Sequence, residues 1–220
     1  MRLTNFIIGC IALTLTILPL KSSLANIGEV TLHEGNGVID RKDGEQGIIV
    51  EKELGIFSYD TVKTGNGKVG IEFIDATRVD VTQHSKLIID EFVYDPNSGT
   101  GKLSLKASLG TVRYASGQIA KNSATNVKIT TPTATIGVRG TDFTMTIDEV
   151  GSSTIILLPS CDTNGNCFVG EISVESDAGQ VILNQAFQAT QVFVPENPPS
   201  PPVKLDLEIE MINNMLIVAK

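Results

Sequence analysis

The sequence predicts an all-β fold, either a solenoid-like coil or a roll or sandwich of short strands. Three observations carry that prediction. Runs of Val, Ile and Leu alternate with polar residues at period two, Gly, Asn, Asp and Pro interrupt them at spacings of about 8–12 residues, and no amphipathic helix of useful length intervenes. Composition agrees. Of 220 residues, 41% are apolar but only 5% aromatic, with no Trp, so the core must be built from the aliphatic side chains that pack on pleated surfaces.

The runs can be followed in order. Residues 48–50 and Leu54-Gly55-Ile56-Phe57 come first. Thr61-Val62-Lys63-Thr64 leads into Gly65-Asn66-Gly67, a turn signal, and Val69, Ile71 and Phe73 alternate beyond it. Val79 and Val81 mark the next strand, and residues 87–93 another, closed by Asp95-Pro96-Asn97-Ser98-Gly99. Leu103, Leu105 and Ala107 alternate before Gly110, and Thr111-Val112-Arg113-Tyr114 follows it as a further run. Val127 with Ile129, then Phe143, Met145 and Ile147, continue the pattern, and runs at 155–158, 168–169, 172–174, 181–183 and 192–194 complete it. Periodicity does not separate coil from sandwich. Compact turns and short strands favour a solenoid-like roll, although no strict repeat unit is present.

Both ends of the chain read differently. Arg2, the apolar stretch at 6–20 and the small residues around Ser23-Leu24-Ala25 make a signal peptide over residues 1–25, leaving Asn26 as the first mature residue. At about 15 residues, broken by Pro19, the stretch is short for a membrane span of roughly 20. Too little apolar sequence precedes Cys10 for lipidation there. The protein is therefore expected to be periplasmic or secreted, with no transmembrane span in its mature form. An all-β domain fills 26–194. Five prolines within residues 195–202 make an extended linker, and 203–220 form a short tail, read as a loosely ordered terminus, whose apolar spacing suits a strand and a helix equally.

Arg2 and Lys21 leave with the signal and no acid does, so 15 basic residues face 25 acidic ones, a net charge of −10. Such a surface repels phosphate backbones and anionic headgroups, so no nucleic acid is expected as a partner. Cys10 leaves too. Cys161 and Cys167 bracket Asp162-Thr163-Asn164-Gly165-Asn166, whose Asn-Gly is a tight-turn dipeptide. A hairpin there sets the two thiols opposite one another, and an oxidising compartment joins them as a disulfide contributing roughly 2 kcal/mol by loop closure. A metal pair would lack two ligands, and a calcium loop lacks its Gly and its closing Glu. No cofactor and no metal are expected.

One segment, Thr131-Pro132-Thr133-Ala134-Thr135-Ile136-Gly137-Val138-Arg139-Gly140-Thr141-Asp142-Phe143, closely resembles the signature of the FecR domain family. Further stretches resemble it in order: Asp60 to Gly65, Val69 to Val81, Ser85 to Pro96 and Leu103 to Ser116, so that the similarity covers roughly 50–145. Ala76 departs from the pattern, since many relatives carry Gly after the Asp of that turn. Pro132 fixes an extended entry into the signature. Gly137 and Gly140 around Val138-Arg139 suggest a bulge or tight corner. The favoured role for Thr131, Pro132, Ile136, Gly137, Arg139, Gly140 and Thr141 is structural, with the Arg139 guanidinium tying together carbonyls or Asp142 at the corner. The alternative is an anion anchor. In the best-known relatives the domain is the extracytoplasmic part of a membrane-spanning regulator that receives a signal from an outer-membrane receptor and controls a sigma factor. Only some five residues precede the apolar segment here, so the resemblance does not extend to the sigma-binding part.

Catalysis finds little support in the residues. His33 and His84 are far apart among polar neighbours and read as surface residues, and no nucleophile elbow, zinc-binding helix or phosphate loop occurs. Asp90-Glu91 and Asp148-Glu149 are adjacent on expected strands, which would point the two carboxylates of each pair to opposite faces. The reading is a non-catalytic, exported recognition or scaffolding module whose partner is an envelope protein or a cell-wall glycan. The alternatives are a component of extracytoplasmic signal transduction and, from a different class, a polysaccharide-acting enzyme.

Overall fold

A computed structural model describes residues 25–123, 125–161 and 166–206. The expected signal peptide up to Leu24 and the tail from Leu207 lie outside these residues. The elements in chain order are β1 (Gly28–Asp40), β2 (Ile48–Ile49), β3 (Gly55–Ile56), β4 (Thr61–Phe73), β5 (Arg78–Val81), β6 (Lys86–Asp95), β7 (Thr100–Ala115), α1 (Gln118–Asn122), β8 (Val127–Thr130), β9 (Thr135–Arg139), β10 (Asp142–Ile147), β11 (Ser153–Leu158), β12 (Ser160–Cys161), β13 (Cys167–Phe168), β14 (Glu171–Ser176), β15 (Gly179–Leu183), β16 (Gln188–Val192) and β17 (Val203–Lys204).

Three long strands organise the body. The N-terminal half of β4 pairs with β6, and its C-terminal half with β5. β7 does the same on a larger scale: residues 100–109 pair with β6 and, in part, β8, whereas 110–115 pair with β10 and, in part, β5. β1 follows β4 along its whole length. The sheet therefore divides into two leaves. One runs β4–β5–β7–β10–β11–β16–β17 and the other β4–β6–β7–β8–β9–β14–β15, with β1, β4 and β7 passing from leaf to leaf. The alternating side chains of both leaves fill one core, in which Phe73 of one stacks on Phe92 of the other at 5.3 Å. Of the arrangements left open by the sequence this is the roll. Every pairing is antiparallel except β7 with β8, whereas a solenoid coil would stack parallel neighbours.

Several boundaries differ from the sequence expectation, for local reasons. Gly65-Asn66-Gly67 is no turn: β4 runs straight through it. Gly67 faces Gly35 of β1, and a Cβ on Gly67 would lie 2.4 Å from the Glu34 carbonyl, so these glycines permit close approach of two backbones. Gly110 likewise does not end a strand. With φ +80 it turns β7 from one leaf into the other. The proline-rich segment opens in a turn, where the Asn197 amide donates to the Val194 carbonyl, and stays on the body instead of forming the expected extended linker. Pro199 is buried, and the Thr190 hydroxyl and Gln191 backbone bind Ser200 from both sides. Among the described residues, no helix is long and apolar enough to cross a membrane.

Candidate functional site

The signature segment occupies the hinge between the leaves. Thr131 to Ala134 form the turn between β8 and β9. The Thr131 hydroxyl accepts from the Ala134 amide at 3.0 Å and from Ser153 of β11 at 2.8 Å, and the Thr133 hydroxyl donates to Ser153 at 2.8 Å and to the Val192 carbonyl of β16 at 3.2 Å. These hydroxyls are buried, so a hydrogen-bonded chain ties the turn of one leaf to two strands of the other. Sequence reasoning did not single out Thr133 or Ser153, because nothing in their spacing, 20 residues apart, announces the pairing. Pro132 is exposed on the turn and meets Gly151 of the β10–β11 turn.

Ile136 and Val138 of β9 point into the core, while Gly137 sits in regular register between Lys128 of β8 and Ser173 of β14, so no bulge forms there. The corner comes at Gly140, with φ +57, and delivers the chain from β9 in one leaf to β10 in the other. Thr141 is buried and pins that corner. Its amide donates to the Ser116 hydroxyl at 2.9 Å, its carbonyl accepts from the same hydroxyl at 2.8 Å, and its own oxygen accepts from the Gly170 amide at 3.2 Å. Arg139 does not join this network. Its side chain is exposed, and Asp142, its expected partner, faces Arg113 at 3.4 Å instead. Register decides this. Asp142 stands directly across from Ala115 on β7, diagonal to Arg113, whereas Arg139 lies beyond the corner in the other leaf.

Cys161 and Cys167 are joined by a disulfide and pair across β12 and β13, with Phe168 half exposed beside them. The turn between the two cysteines lies outside the described residues. A shallow groove of about 470 Å³ opens where the signature turn meets the β14–β15 turn, lined by Lys128, Thr130, Thr135, Glu175, Asp177 and Pro195.

The candidate acid–base residues are dispersed. His84 is exposed, but His33 is half buried with its Nε2 enclosed and unpartnered, not a surface residue as expected. Asp148 lies in the β10–β11 turn, where its carboxylate accepts from the Val150 and Ser152 amides. Asp90 and Glu91 do share one face, contrary to expectation. A register shift between Ile89 and Glu91 inserts an extra residue and turns both outward, where Ser104 binds Asp90 and Lys102 binds Glu91. Among the described residues no three His, Cys, Asp or Glu side chains converge.

Two buried carboxylates frame β4. Asp75, just after it, accepts from the Thr77 amide at 3.0 Å, the Thr77 hydroxyl at 2.8 Å and the Ile119 amide of α1 at 3.2 Å. The neighbouring Ala76 adopts φ +63, so the turn keeps the left-handed conformation that Gly takes easily. Asp60, just before β4, accepts from Arg41 and from the Phe57 amide at 2.9 Å, while its other oxygen is buried without a partner. Burial raises its pKa against the pull of the Phe57 amide and of Arg41. Arg41 also donates to the Gly55 carbonyl and lies over the Phe57 ring at 4.6 Å, clamping the segment between β1 and β4.

No curated protein matches the chain in sequence. Among solved structures, "a putative anti-sigma factor from Parabacteroides distasonis ATCC 8503" aligns at 10% identity with a TM-score of 0.46, over 71% of this chain and 64% of that one, so this chain spans less than two thirds of its length. The model of the FecR protein family matches residues 60–158, from Asp60 through β11, beginning and ending somewhat later than the 50–145 expected. That match contains both framing carboxylates, the hinge turn and the Gly140 corner, and over it the chain is similar to the FecR protein family.

Proposed function

We propose that this FecR-like domain is a non-catalytic recognition module of an extracytoplasmic regulatory route, exported to the periplasm or beyond, which takes a strand of a partner protein onto the free edge of β15. One observation carries the reading. Among the described residues, β15 bonds to β14 on one side, and no backbone group of Gly179–Leu183 pairs on the other. Two other edges are covered: β2, β3 and the 50–54 segment close β1, and β17 with the proline-rich segment closes β16.

Exposed edges in stable proteins are blunted by Lys, Pro or bulges. β15 reads Gly-Gln-Val-Ile-Leu, without a charge, and Ile182 is 41% exposed. Main-chain hydrogen bonds along such an edge supply affinity, and alternate side chains supply selectivity. Regulation by partner binding needs no reacting group. It needs a rigid frame, which the clipped hinge provides.

The test is a photo-crosslinker placed at Ile182 in cells, read together with the transcripts that change when the gene is deleted. The expected outcome is one crosslinked envelope protein, lost on Ile182→Lys or Val181→Lys, with both substitutions reproducing the deletion transcript pattern. Substitutions that leave the transcripts and crosslinks of wild type intact refute the edge as the partner site.

A further inference from the structure

The register of the second leaf assembles a feature that no single strand shows. On its outward face Lys63 of β4 stands directly opposite Lys86 of β6. Lys86 is offset obliquely from Lys106 of β7 across a register shift: Lys106 pairs with Ile88, while Lys86 itself pairs with Leu109. Lys106 is diagonal to Lys128 of β8, since its direct partner there is Thr130, and Lys128 is diagonal to Arg139 of β9, since it pairs with Gly137. All five are exposed, and the residues flanking them in sequence, such as Leu87, Leu105, Ile129 and Val138, are buried, so alternation places all five on one face. Each diagonal step advances in the same direction along the strands and covers about 7–8 Å. The result is an oblique row of cations from Lys86 to Arg139, with Lys63 directly across from Lys86 at its end.

The middle of the line carries uncompensated charge. Asp40 holds Lys63 and also feels the charge of Lys86, and Glu171 stands directly across from Arg139, but Lys106 and Lys128 have no carboxylate within ion-pair distance among the described residues. The other acids of this face are engaged or to one side: Glu91 binds Lys102, Asp90 takes the Ser104 hydroxyl, and Glu175 stands across from Thr135. The floor between the cations is flat and hydroxyl-rich, with Ser104, Thr130, Thr135 and Ser173 around Gly137.

We infer that this face binds a linear anionic polysaccharide, laid along the oblique line with its acidic groups on Lys86, Lys106, Lys128 and Arg139. The chemistry selects that class. A flat row of flexible ammonium groups tolerates variable spacing of repeated acids, and neighbouring hydroxyls suit sugar hydroxyls. The absence of aromatic residues from the row removes the stacking platform that neutral sugars or unpaired bases would use. The net charge of −10 expected for the exported chain repels the polymer from the remaining surface, which confines binding to this face. On this inference the expected repulsion of anions is confined to the rest of the surface.

The test compares retention of the exported protein on immobilised polygalacturonate, dextran sulfate and neutral dextran, at low and raised salt. Wild type should be retained by the acidic polymers, released by salt, and pass through dextran. K86Q/K106Q/K128Q should lose at least tenfold in affinity, while K52Q/K121Q/K204Q, which removes the same charge elsewhere, should match wild type. Preference between the first two columns tells carboxylated from sulfated polymers. Lysine acetylation of the wild-type protein gives a reading that needs no variant: bound polymer should shield Lys86, Lys106 and Lys128 but not Lys52. Equal loss in both triple variants, retention on neither acidic polymer, or binding to anionic phospholipid vesicles in place of the glycans each overturns the assignment. Crosslinking at Ile182 should be unchanged in K86Q/K106Q/K128Q, so this inference and the edge-strand reading fail separately.

Discussion

Asp60 and Asp75 stand at the two ends of the same strand, each only 1% exposed, and the protein buries them by opposite means. Asp75 is surrounded by neutral donors fixed by the backbone of its own turn and of α1. Asp60 relies on a charge brought from 19 residues upstream and leaves one oxygen unsatisfied. Arg41 also lies outside the matched span 60–158, so the first residue of that span depends on a clamp supplied by the preceding segment. A buried carboxylate met by backbone amides is part of a turn's design. One met by a distant cation couples two segments, and its balance changes with pH.

Removing the carboxylate in the first case should have the largest effect. Asp75→Ala strands the Thr77 and Ile119 amides and the Thr77 hydroxyl in the interior, at about 4 kcal/mol in all. Urea denaturation checks this, and a loss below about 1 kcal/mol would mean that the turn is not held by these bonds.

Arg41→Met should follow at about 3 kcal/mol at neutral pH, because it leaves Asp60 ionised and without its counter-charge. The pH dependence separates the two sites. The native Asp60 carboxyl titrates above the ordinary aspartate value, because burial outweighs its partners. An acid that binds its proton more tightly folded than unfolded lowers stability when ionised, and this cost disappears as pH falls from the native value to the ordinary one. Without Arg41 the native carboxyl binds its proton still more tightly, so the difference between Arg41→Met and wild type should shrink as pH falls from the variant's native value to the wild-type one, above the ordinary aspartate range. The Asp75→Ala deficit should not. Exposed Asp95, whose pKa its Ser98 and Asn97 hydrogen bonds hold down, runs the other way: its contribution is present above the ordinary value and lost in acid.

How far these features were legible follows from their range. Period-two alternation located the core positions of β7, β8 and β10, and the Asn-Gly turn located the Cys161–Cys167 pair, because both are local properties. β1 escaped notice: its four apolar residues are interrupted by His33, Gly35 and Gly37, and its length comes from pairing with β4. Gly65 and Gly110 were read as breaks because a glycine that lets backbones approach or turns a strand looks the same in sequence as one that ends it. Arg41–Asp60, Thr133–Ser153 and the cation line are products of register across distant strands, and no window of sequence contains them.

Tyr114 extends the comparison to a group with no charge. Its ring is fully buried against Phe143, its hydroxyl lies near the Ser116 and Thr77 hydroxyls without a well-formed hydrogen bond to either, and burial drives its pKa up. Like the free oxygen of Asp60 it is a polar atom enclosed without return, but neutral, so Tyr114→Phe should cost nothing and raise stability by about 1 kcal/mol. Thermal unfolding reads this directly. A clear loss would show that the hydroxyl has a role in the native interior after all.

The smallest effect probes why the Asp75 turn tolerates a poor residue. Ala76 holds φ +63, where a Cβ crowds the following carbonyl, and the hydrogen bonds of Asp75 keep it there. Ala76→Gly relieves that crowding but loosens the unfolded chain, two opposing contributions that leave a gain of about 0.5 kcal/mol. The informative measurement is the double variant with Asp75→Ala. If the carboxylate enforces the left-handed turn, the benefit of Gly should vanish once the carboxylate is gone, because the turn is then free to relax around Ala76. A gain that persists undiminished would place the constraint in the β4–β5 pairing on either side of the turn, and Asp75 would be left with the single task of holding α1.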